Sequence, residues 1–288
     1  MKICLGTANF GQKYGLNYGQ QFKNLNEIKK IINYCINANI KFIDTSIDYG
    51  NTLSRLSKCD LSKFKIISKV TVINNNINTF SKNLDLQIKN SFELLGVNKI
   101  YSILLQRPEN ILKFKNTDIN DLFSNLKKKY NIKKIGFSFY DQNLLKSLIS
   151  KIDMDIVQIP YNIFDNRFEK VMIQMNKLDI EIHSRSVFLQ GVLLKKKENL
   201  NSYFMKWSKH FDLYNEWLVK NKYQPLEFCL NYVKNNININ KIVIGVDSID
   251  QLDQIVNSIY KKNIIMSDKL FINDEKILMP KLWKLKKN

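Results

Sequence analysis

At 288 residues with 44% hydrophobic and 25% charged side chains, the chain has the composition of a globular protein with a sizeable core, and its length suits one α/β barrel domain spanning 1–288. No apolar run approaches the roughly 20 residues of a membrane span, and the opening MKICLGTANFG is too short in its apolar part for a secretory signal, so a cytoplasmic protein is expected. The formal charge of +19 rests on lysine, because Arg55, Arg107, Arg167 and Arg185 are the only arginines; without an arginine cluster or an aromatic stacking motif it reads as a solvated surface, not as a nucleic-acid interface.

Short apolar segments alternate with longer amphipathic ones along the chain. The strand candidates are 2–6 (KICLG), 41–45 (KFIDT), 65–70 (KIISKV), 100–105 (IYSILL), 133–138 (KKIGFS), 155–160 (DIVQIP), 181–186 (EIHSRS) and 241–246 (KIVIGV). Each is rich in Ile, Val or Leu without strict alternation, as parallel strands buried on both faces tend to be. Between them, Asn26 is placed to cap a helix running to about Asn39, with Ile28, Ile31, Ile32 and Cys35 on one face. Residues 80–95 repeat Leu84, Ile88, Phe92 and Leu95 at helical steps, and 118–129, 141–151, 167–178, 203–235 and 248–260 read as helices too. The loops after the first, fourth and seventh strands are expected to be short, and the segment 278–283 (LMPKLW) predicts a C-terminal helical tail.

Eight strands alternating with helices predict a single (β/α)8 barrel, with a doubly wound sheet as the alternative. No GxGxxG follows the first strand, so the phosphate-binding turn of a dinucleotide fold is absent. Cys4, Cys35, Cys59 and Cys229 are scattered and form no CxxC, which excludes a zinc knuckle and a redox pair, and no metal is expected.

A parallel barrel carries its active site where the C-terminal ends of its strands converge. The polar residues at those ends are Asp44, Lys69, Gln106, Ser138, Gln158 and Arg185, with Asn9 after the first strand and the Gly245–Asp247 turn after the eighth; Tyr49 follows Asp44 by one loop. A phenol with an ordinary pKa near 10 donates a proton sluggishly at neutral pH, and a neighbouring ammonium favours its ionised form. Lys69 supplies that ammonium, and Asp44 keeps it charged and placed. Together Tyr49, Lys69 and Asp44 suit protonation of a carbonyl oxygen while hydride reaches its carbon. Taken singly, Asp44 also reads as a helix cap and Tyr49 as a packing residue; a lysine ending a buried strand is harder to explain without a partner.

The motifs LGTANFG (5–11), FIDTSIDYG (42–50), IISKV (66–70), SFELLGV (91–97), LLQRP (104–108), KKIGFS (133–138), VQIPYN (157–162), RSVFLQGVLL (185–194) and IVIGV (242–246) occur in the order seen in aldo/keto reductases, and the chain resembles that family along nearly its full length. Its opening and RSVFLQGVLL are similar to compact bacterial members from surface-sugar pathways. The resemblance implies reduction of a small aldehyde, ketone or sugar with NADPH, NADH being the alternative cofactor, by a monomer or weak homo-oligomer. It also implies Tyr49 as proton donor, Lys69 as its charged partner and Asp44 as the residue orienting the lysine. Ser138 and Gln158 match positions that hold the nicotinamide carboxamide, and Arg185 falls where an aromatic ring often stacks on the nicotinamide. Gly191 and the turn through Gly245, Asp247 and Ser248 are expected near the cofactor phosphates, with Gln251 and Gln254 near the adenosine.

Three positions depart from the family pattern. Gln106 stands in place of the fourth catalytic residue, a histidine, and an amide donates a hydrogen bond but does not titrate. Phe139 replaces an asparagine common beside the nicotinamide, and Asp247 has no adjacent cation to grip a 2′-phosphate. His183, two residues before Arg185, reads as a core histidine rather than a substitute. The change at Gln106 motivates a second expectation, a barrel that binds the nucleotide as a redox or regulatory signal with little turnover.

Overall fold

Eight parallel strands pair in chain order and close on themselves: β1 (Ile3–Gly6), β2 (Phe42–Ser46), β3 (Lys65–Val70), β4 (Ser102–Leu105), β5 (Lys134–Ser138), β6 (Ile156–Pro160), β7 (Glu181–Arg185) and β8 (Lys241–Gly245). The computed structural model describes residues 1–12, 15, 24–259 and 264–285. Every strand lies within two residues of its expected bounds, because a continuous apolar run flanked by polar turns leaves little freedom of placement. The helices that cover the barrel are α1 (Leu25–Asn37), α2 (Thr52–Leu56), α3 (Ile77–Leu95), α4 (Asn116–Tyr130), α5 (Gln142–Leu148), α6 (Glu169–Lys177), α7 (Ser208–Lys220), α8 (Pro225–Asn235), α9 (Ile249–Ser258) and α10 (Glu275–Leu278). The fold is therefore the (β/α)8 barrel and not the doubly wound sheet.

Several local expectations are corrected. The cap of α1 is Asn24, not Asn26: its side chain accepts from Glu27 N at 2.9 Å, and the Glu27 carboxylate accepts from Asn24 N at 3.2 Å. That reciprocal box outcompetes the later asparagine. The apolar face named from the sequence is the one α1 buries. Segment 203–235 is not one helix. It opens as a 3-10 segment, Ser202–Trp207, and breaks after α7, where Lys222 takes a left-handed φ of 56° and Pro225 starts α8 at a position that needs no N–H.

The tail is helical only in short turns, at Asp268–Leu270, Glu275–Leu278 and Pro280–Leu282, since Pro280 cannot continue α10. The expected end of the last barrel helix at residue 260 lies outside the described residues. The loop after β7 is not short: residues 186–207 carry three 3-10 segments before α7 begins. Part of the loop after β1 likewise lies outside the described residues.

Side chains fill the barrel in layers. Cys4, Phe42, Ile67, Leu104 and Ile156 form the interior cluster, with Tyr101 and Val243 against it. A larger cluster joins the outward strand faces to the helices. Gly136 is required where β5 meets β6, because a Cβ there would fall 1.8 Å from Ile156 O. At the N-terminal side of this cluster Phe42 and Tyr101 pack edge to face at 5.5 Å, under the ammonium groups of Lys65 and Lys241. Among the described residues no helix is long and apolar enough to cross a membrane, and no cluster of His, Cys, Asp and Glu could hold a metal ion.

Candidate active site

Register explains how the polar strand ends meet. Gly6 pairs with Asp44, Ser46 with Lys69 and Ser138 with Gln158, so these side chains share the upper layer of the barrel. Asp44 and Lys69 form a buried ion pair, with 4% and 2% of their side chains exposed, through Asp44 Oδ1. Asp44 Oδ2 accepts from Gln158 Nε2 at 2.8 Å. Both carboxylate oxygens are thus bound by donors, the condition under which a buried ion pair is tolerated.

Tyr49 stands above this pair. Its N–H donates to Ser46 O at 3.2 Å and its own carbonyl accepts from Thr52 N at 3.1 Å, which makes a tight turn into α2. Gly50 adopts φ +57° in that turn, and a Cβ on Gly11 would sit 2.5 Å from Tyr49 O, so only glycine lets the loop after β1 nest against it. The Lys69 ammonium lies 5.0 Å from the centre of the Tyr49 ring.

Burial raises the Tyr49 phenol pKa more than Lys69 lowers it; Asp44 raises it further and Arg185 lowers it. The expected depression by the ammonium is therefore reversed in sign, and the phenol stays protonated through neutral pH. Burial alone pulls Lys69 down, but the charges of Asp44 and Tyr49 and the hydrogen bonds to both raise it above the ordinary lysine value.

A cleft of about 580 Å³ opens beside Tyr49, a volume typical of small-molecule sites. Of the residues singled out in the sequence, Asp44, Tyr49, Gln158, Arg185, Gly191, Gly245, Asp247, Gln251 and Gln254 line it. Lys69, Gln106, Ser138 and Ser248 do not. Lys69 lies beneath the floor, Ser138 is 7% exposed beside Gln158, and the Ser248 hydroxyl accepts from Gln251 N at 3.1 Å as the cap of α9. Gln106 faces elsewhere: its Nε2 donates to Asp48 Oδ2 at 2.8 Å and to Ser46 Oγ at 3.0 Å. His183 is fully buried one layer down, with Nε2 2.6 Å from Glu181 Oε1, as a core histidine would be.

Arg185 is held flat. Its guanidinium lies 3.7 Å from the centre of the Tyr140 ring, and its Nη2 donates to Phe139 O at 2.9 Å. Phe139 itself is buried against Phe137 and lines no part of the cleft, so this position contributes its carbonyl instead of a side chain.

The wall after β7 is strained. Ser186, Leu189 and Gln190 take left-handed φ of 60°, 47° and 54°, each costing of order 1 kcal/mol for a side chain with a Cβ. Buried Val187, Leu189, Val192 and Leu193 anchor the segment in that shape.

Residues not anticipated from sequence complete the cleft. Lys195 and Gln224 line it together with Gln251 and Gln254. Asn9, expected at the end of the first strand, lines it as well: its Nδ2 donates to Asp247 Oδ1 at 2.9 Å and to Val246 O at 2.6 Å, while its buried Oδ1 has no partner among the described residues. A cleft lined by several polar side chains, with a buried ion pair at Asp44 and an unsatisfied buried acceptor, suits a polar ligand such as a nicotinamide nucleotide.

Comparisons with known proteins bear on this geometry. The sequence model of the aldo/keto reductase family matches residues 2–267. Among curated proteins no sequence matches at a significant level. Several solved structures share the fold. An aldo-keto reductase from Bacillus halodurans in its holo form superposes with a TM-score of 0.74 at 16% identity, covering 92% of this chain and 88% of that one. The glycerol dehydrogenase from Gluconobacter oxydans gives 0.69 at 15% identity, with 92% and 88% covered. A thermostable aldo-keto reductase in complex with the inhibitor epalrestat gives 0.70 at 18% identity, with 94% and 93% covered.

Proposed function

The chain belongs to the aldo/keto reductase family, whose members are NAD(P)H-dependent oxidoreductases, and on that premise we propose that it reduces a small aldehyde, ketone or sugar with Tyr49 as the proton donor. The observation that carries this reading is the Tyr49 ring set over a Lys69 ammonium that Asp44 holds at the inner end of the cleft. A bound nicotinamide nucleotide supplies the hydride. Tyr49 gives its proton to the carbonyl oxygen as negative charge develops there, and Lys69 stabilises the phenolate left behind. Asp44 fixes the lysine, and Gln158 fixes Asp44.

The binding roles follow the lining. Gln158 keeps Oε1 free for a carboxamide N–H, with Ser138 beside it, and the Arg185 plane backed by Tyr140 suits a nicotinamide face. Gly191, Gly245 and Asp247 fit the phosphate end, with Ser248 capping α9 behind them, and Gln251 and Gln254 fit the adenosine. Lys195 brings a cation to the cleft, which favours NADPH despite Asp247. We expect one cytoplasmic barrel of the compact bacterial type, acting in carbohydrate metabolism as a monomer or weak homo-oligomer. Nucleic acid is not an expected partner, since the lysine runs are partly tied down: Lys127 pairs with Asp155, Lys129 with Asp85 and Lys197 with Asp212.

The test is a fluorescence titration with NADPH and NADH on the wild type and Lys69→Met, followed by turnover of small aldehydes. Saturable binding with turnover that Lys69→Met abolishes supports the reading. Tight binding with no turnover on any carbonyl favours the second reading, a nucleotide-binding barrel, which the commitment of the Gln106 amide to Asp48 and Ser46 makes specific.

A further inference from the structure

Asp48 precedes Tyr49 and lies outside the strand ends, so the logic of convergent strands passes over it. Its Oδ2 accepts from Thr71 Oγ1 at 2.7 Å and from Gln106 Nε2 at 2.8 Å. Gln106 Nε2 also donates to Ser46 Oγ at 3.0 Å, and Ser46 Oγ in turn donates to Lys69 O at 3.1 Å. An amide nitrogen has two hydrogens, so both are spent inside the protein and Gln106 offers incoming molecules only its Oε1 acceptor. Asp48 is exposed, its Oδ1 has no hydrogen bond among the described residues, and no described cation lies within ion-pair distance of it. Among the described residues of a chain of net charge +19, this carboxylate beside the candidate proton donor has no ion-pair partner.

Its position gives the charge a direction. The cleft is lined by β1 and the loop after it, by Asp44 of β2 and Tyr49 beyond it, by Gln158 of β6, by the segments following β7 and β8 and by the start of α8. Ser46, Asp48, Thr71 and Gln106 belong to β2 and the loops after β2, β3 and β4, and none lines the cleft. The network therefore borders Tyr49 on the side away from the nucleotide cleft, where a carbonyl compound must approach if hydride comes from the cleft. That side presents two acceptors, Asp48 Oδ1 and Gln106 Oε1, and no side-chain N–H from Gln106.

We propose that Asp48, held by Gln106 and Thr71, is the specificity-determining residue that admits neutral hydroxyl-bearing carbonyl compounds and rejects those carrying a carboxylate or phosphate next to the carbonyl. The proposal rests on the carbonyl-reductase reading given above. A substrate hydroxyl donates to the Asp48 and Gln106 oxygens, whereas an anionic group set against Asp48 meets a like charge with no donor to offset it.

Glycolaldehyde and glyoxylate test this, being matched in size and differing in a hydroxymethyl against a carboxylate. The kcat/KM of both is measured with NADPH for the wild type, Asp48→Asn and Asp48→Glu. The wild type is expected to prefer glycolaldehyde. Asp48→Asn should shift the ratio toward glyoxylate on the order of tenfold, as removing one like-charge contact in a partly solvated mouth does, and Asp48→Glu should restore it. Equal NADPH affinity in all three shows that the fold and the nucleotide site survive.

Calorimetric binding of the two aldehydes to the NADP⁺-loaded protein reads the same preference without turnover. A chain that discriminates in binding but reduces neither these compounds nor any other small carbonyl sinks the reductase reading and keeps the charge filter. A ratio that Asp48→Asn leaves unchanged, or failure of glycolaldehyde to bind at all, overturns the proposal.

Discussion

Gln158 donates its side-chain amide to Asp44 Oδ2 at 2.8 Å, from the far side of the barrel mouth, while the Lys69 ammonium takes Oδ1 of the same carboxylate. The two donors fix the carboxylate plane and so the place of the ammonium under Tyr49. Gln158→Leu leaves Oδ2 buried without a donor, at a cost of about 1–3 kcal/mol in unfolding free energy. Gln158→Glu sets a second carboxyl against Asp44, so the pair holds one proton near neutral pH and the rate gains a new pH dependence. Denaturant unfolding and a pH–rate profile check both. A Gln158→Glu profile that overlays the wild type counts against the assignment.

Lys69 and Asp44 should be strongly non-additive. Lys69→Met strands a buried carboxylate, which costs roughly 3–5 kcal/mol of stability when a buried pair is broken from one side. Adding Asp44→Asn removes that charge and should recover much of the loss. Carbonyl reduction should stay about 10²–10⁴-fold down in both variants, since neither has the ammonium beside Tyr49. Unfolding curves and single-turnover rates for the double-mutant cycle separate the two effects. If stability and rate recover together, Lys69 is a structural residue.

Tyr49 is held above the ordinary phenol pKa, chiefly by burial. A donor that keeps its proton predicts a reduction rate that is flat through neutral pH and falls only on the alkaline side of about 10. The sign for stability is the same: with the folded pKa above the unfolded one, the contribution is whole below about 10 and is lost as pH rises through the folded value. Tyr49→Phe should lower the rate about 10²–10⁴-fold and leave nucleotide affinity in place. A neutral-pH inflection that Tyr49→Phe does not remove would point to another acid.

The barrel was legible because each strand is a continuous apolar run, and Gln158, Arg185 and Asp247 were legible because strand ends converge by construction. Direction and partnership were not. Gln106 sits at the expected strand end, but its hydrogen bonds turn it toward Asp48, a loop residue that no periodicity marks. Tyr140 follows β5 without any motif, and it is found only by its stack on Arg185. Lys195 lies 52 positions before Asp247 in the chain and faces the same cleft. The net effect on Tyr49 needed the burial as well as the neighbour, since lysine proximity by itself gives the opposite sign.

Among the described residues Lys195 is the lysine that lines the cleft, together with Gln251 and Gln254. Against a 2′-phosphate it forms a charge-assisted contact, partly offset by Asp247. Lys195→Ala should weaken NADPH binding by about 1 kcal/mol, between fivefold and tenfold, while NADH changes little. Asp247→Asn should move the preference the other way by a similar factor. Fluorescence titrations at low and high salt decide it, because the Lys195 effect on NADPH must shrink as salt rises. Equal losses for both nucleotides would place Lys195 on the shared pyrophosphate instead.

At the opposite mouth Glu181 ties the barrel together with no part in the chemistry. Its Oε1 lies 2.6 Å from His183 Nε2, and its Oε2 accepts from Tyr101 at 2.6 Å and from Lys134 at 2.9 Å. Burial raises its pKa, but the bond and charge of His183 with those of Tyr101 and Lys134 overcome this and hold it at about 2. The folded value is depressed below the ordinary 4.5, so the stabilisation is present above that pH and is lost as pH falls toward 2. The size is roughly 3 kcal/mol at most, since each tenfold change in proton affinity is worth about 1.4 kcal/mol, and solvent at the barrel rim screens part of it. Glu181→Gln should therefore unfold more easily than the wild type at pH 7, and the two unfolding curves should converge near pH 2. Carbonyl reduction at neutral pH should be unaffected in the folded variant, because none of Glu181, His183, Tyr101 and Lys134 lines the cleft. A gap between the curves that persists at pH 2 would mean that packing, and not the charge of Glu181, carries the effect.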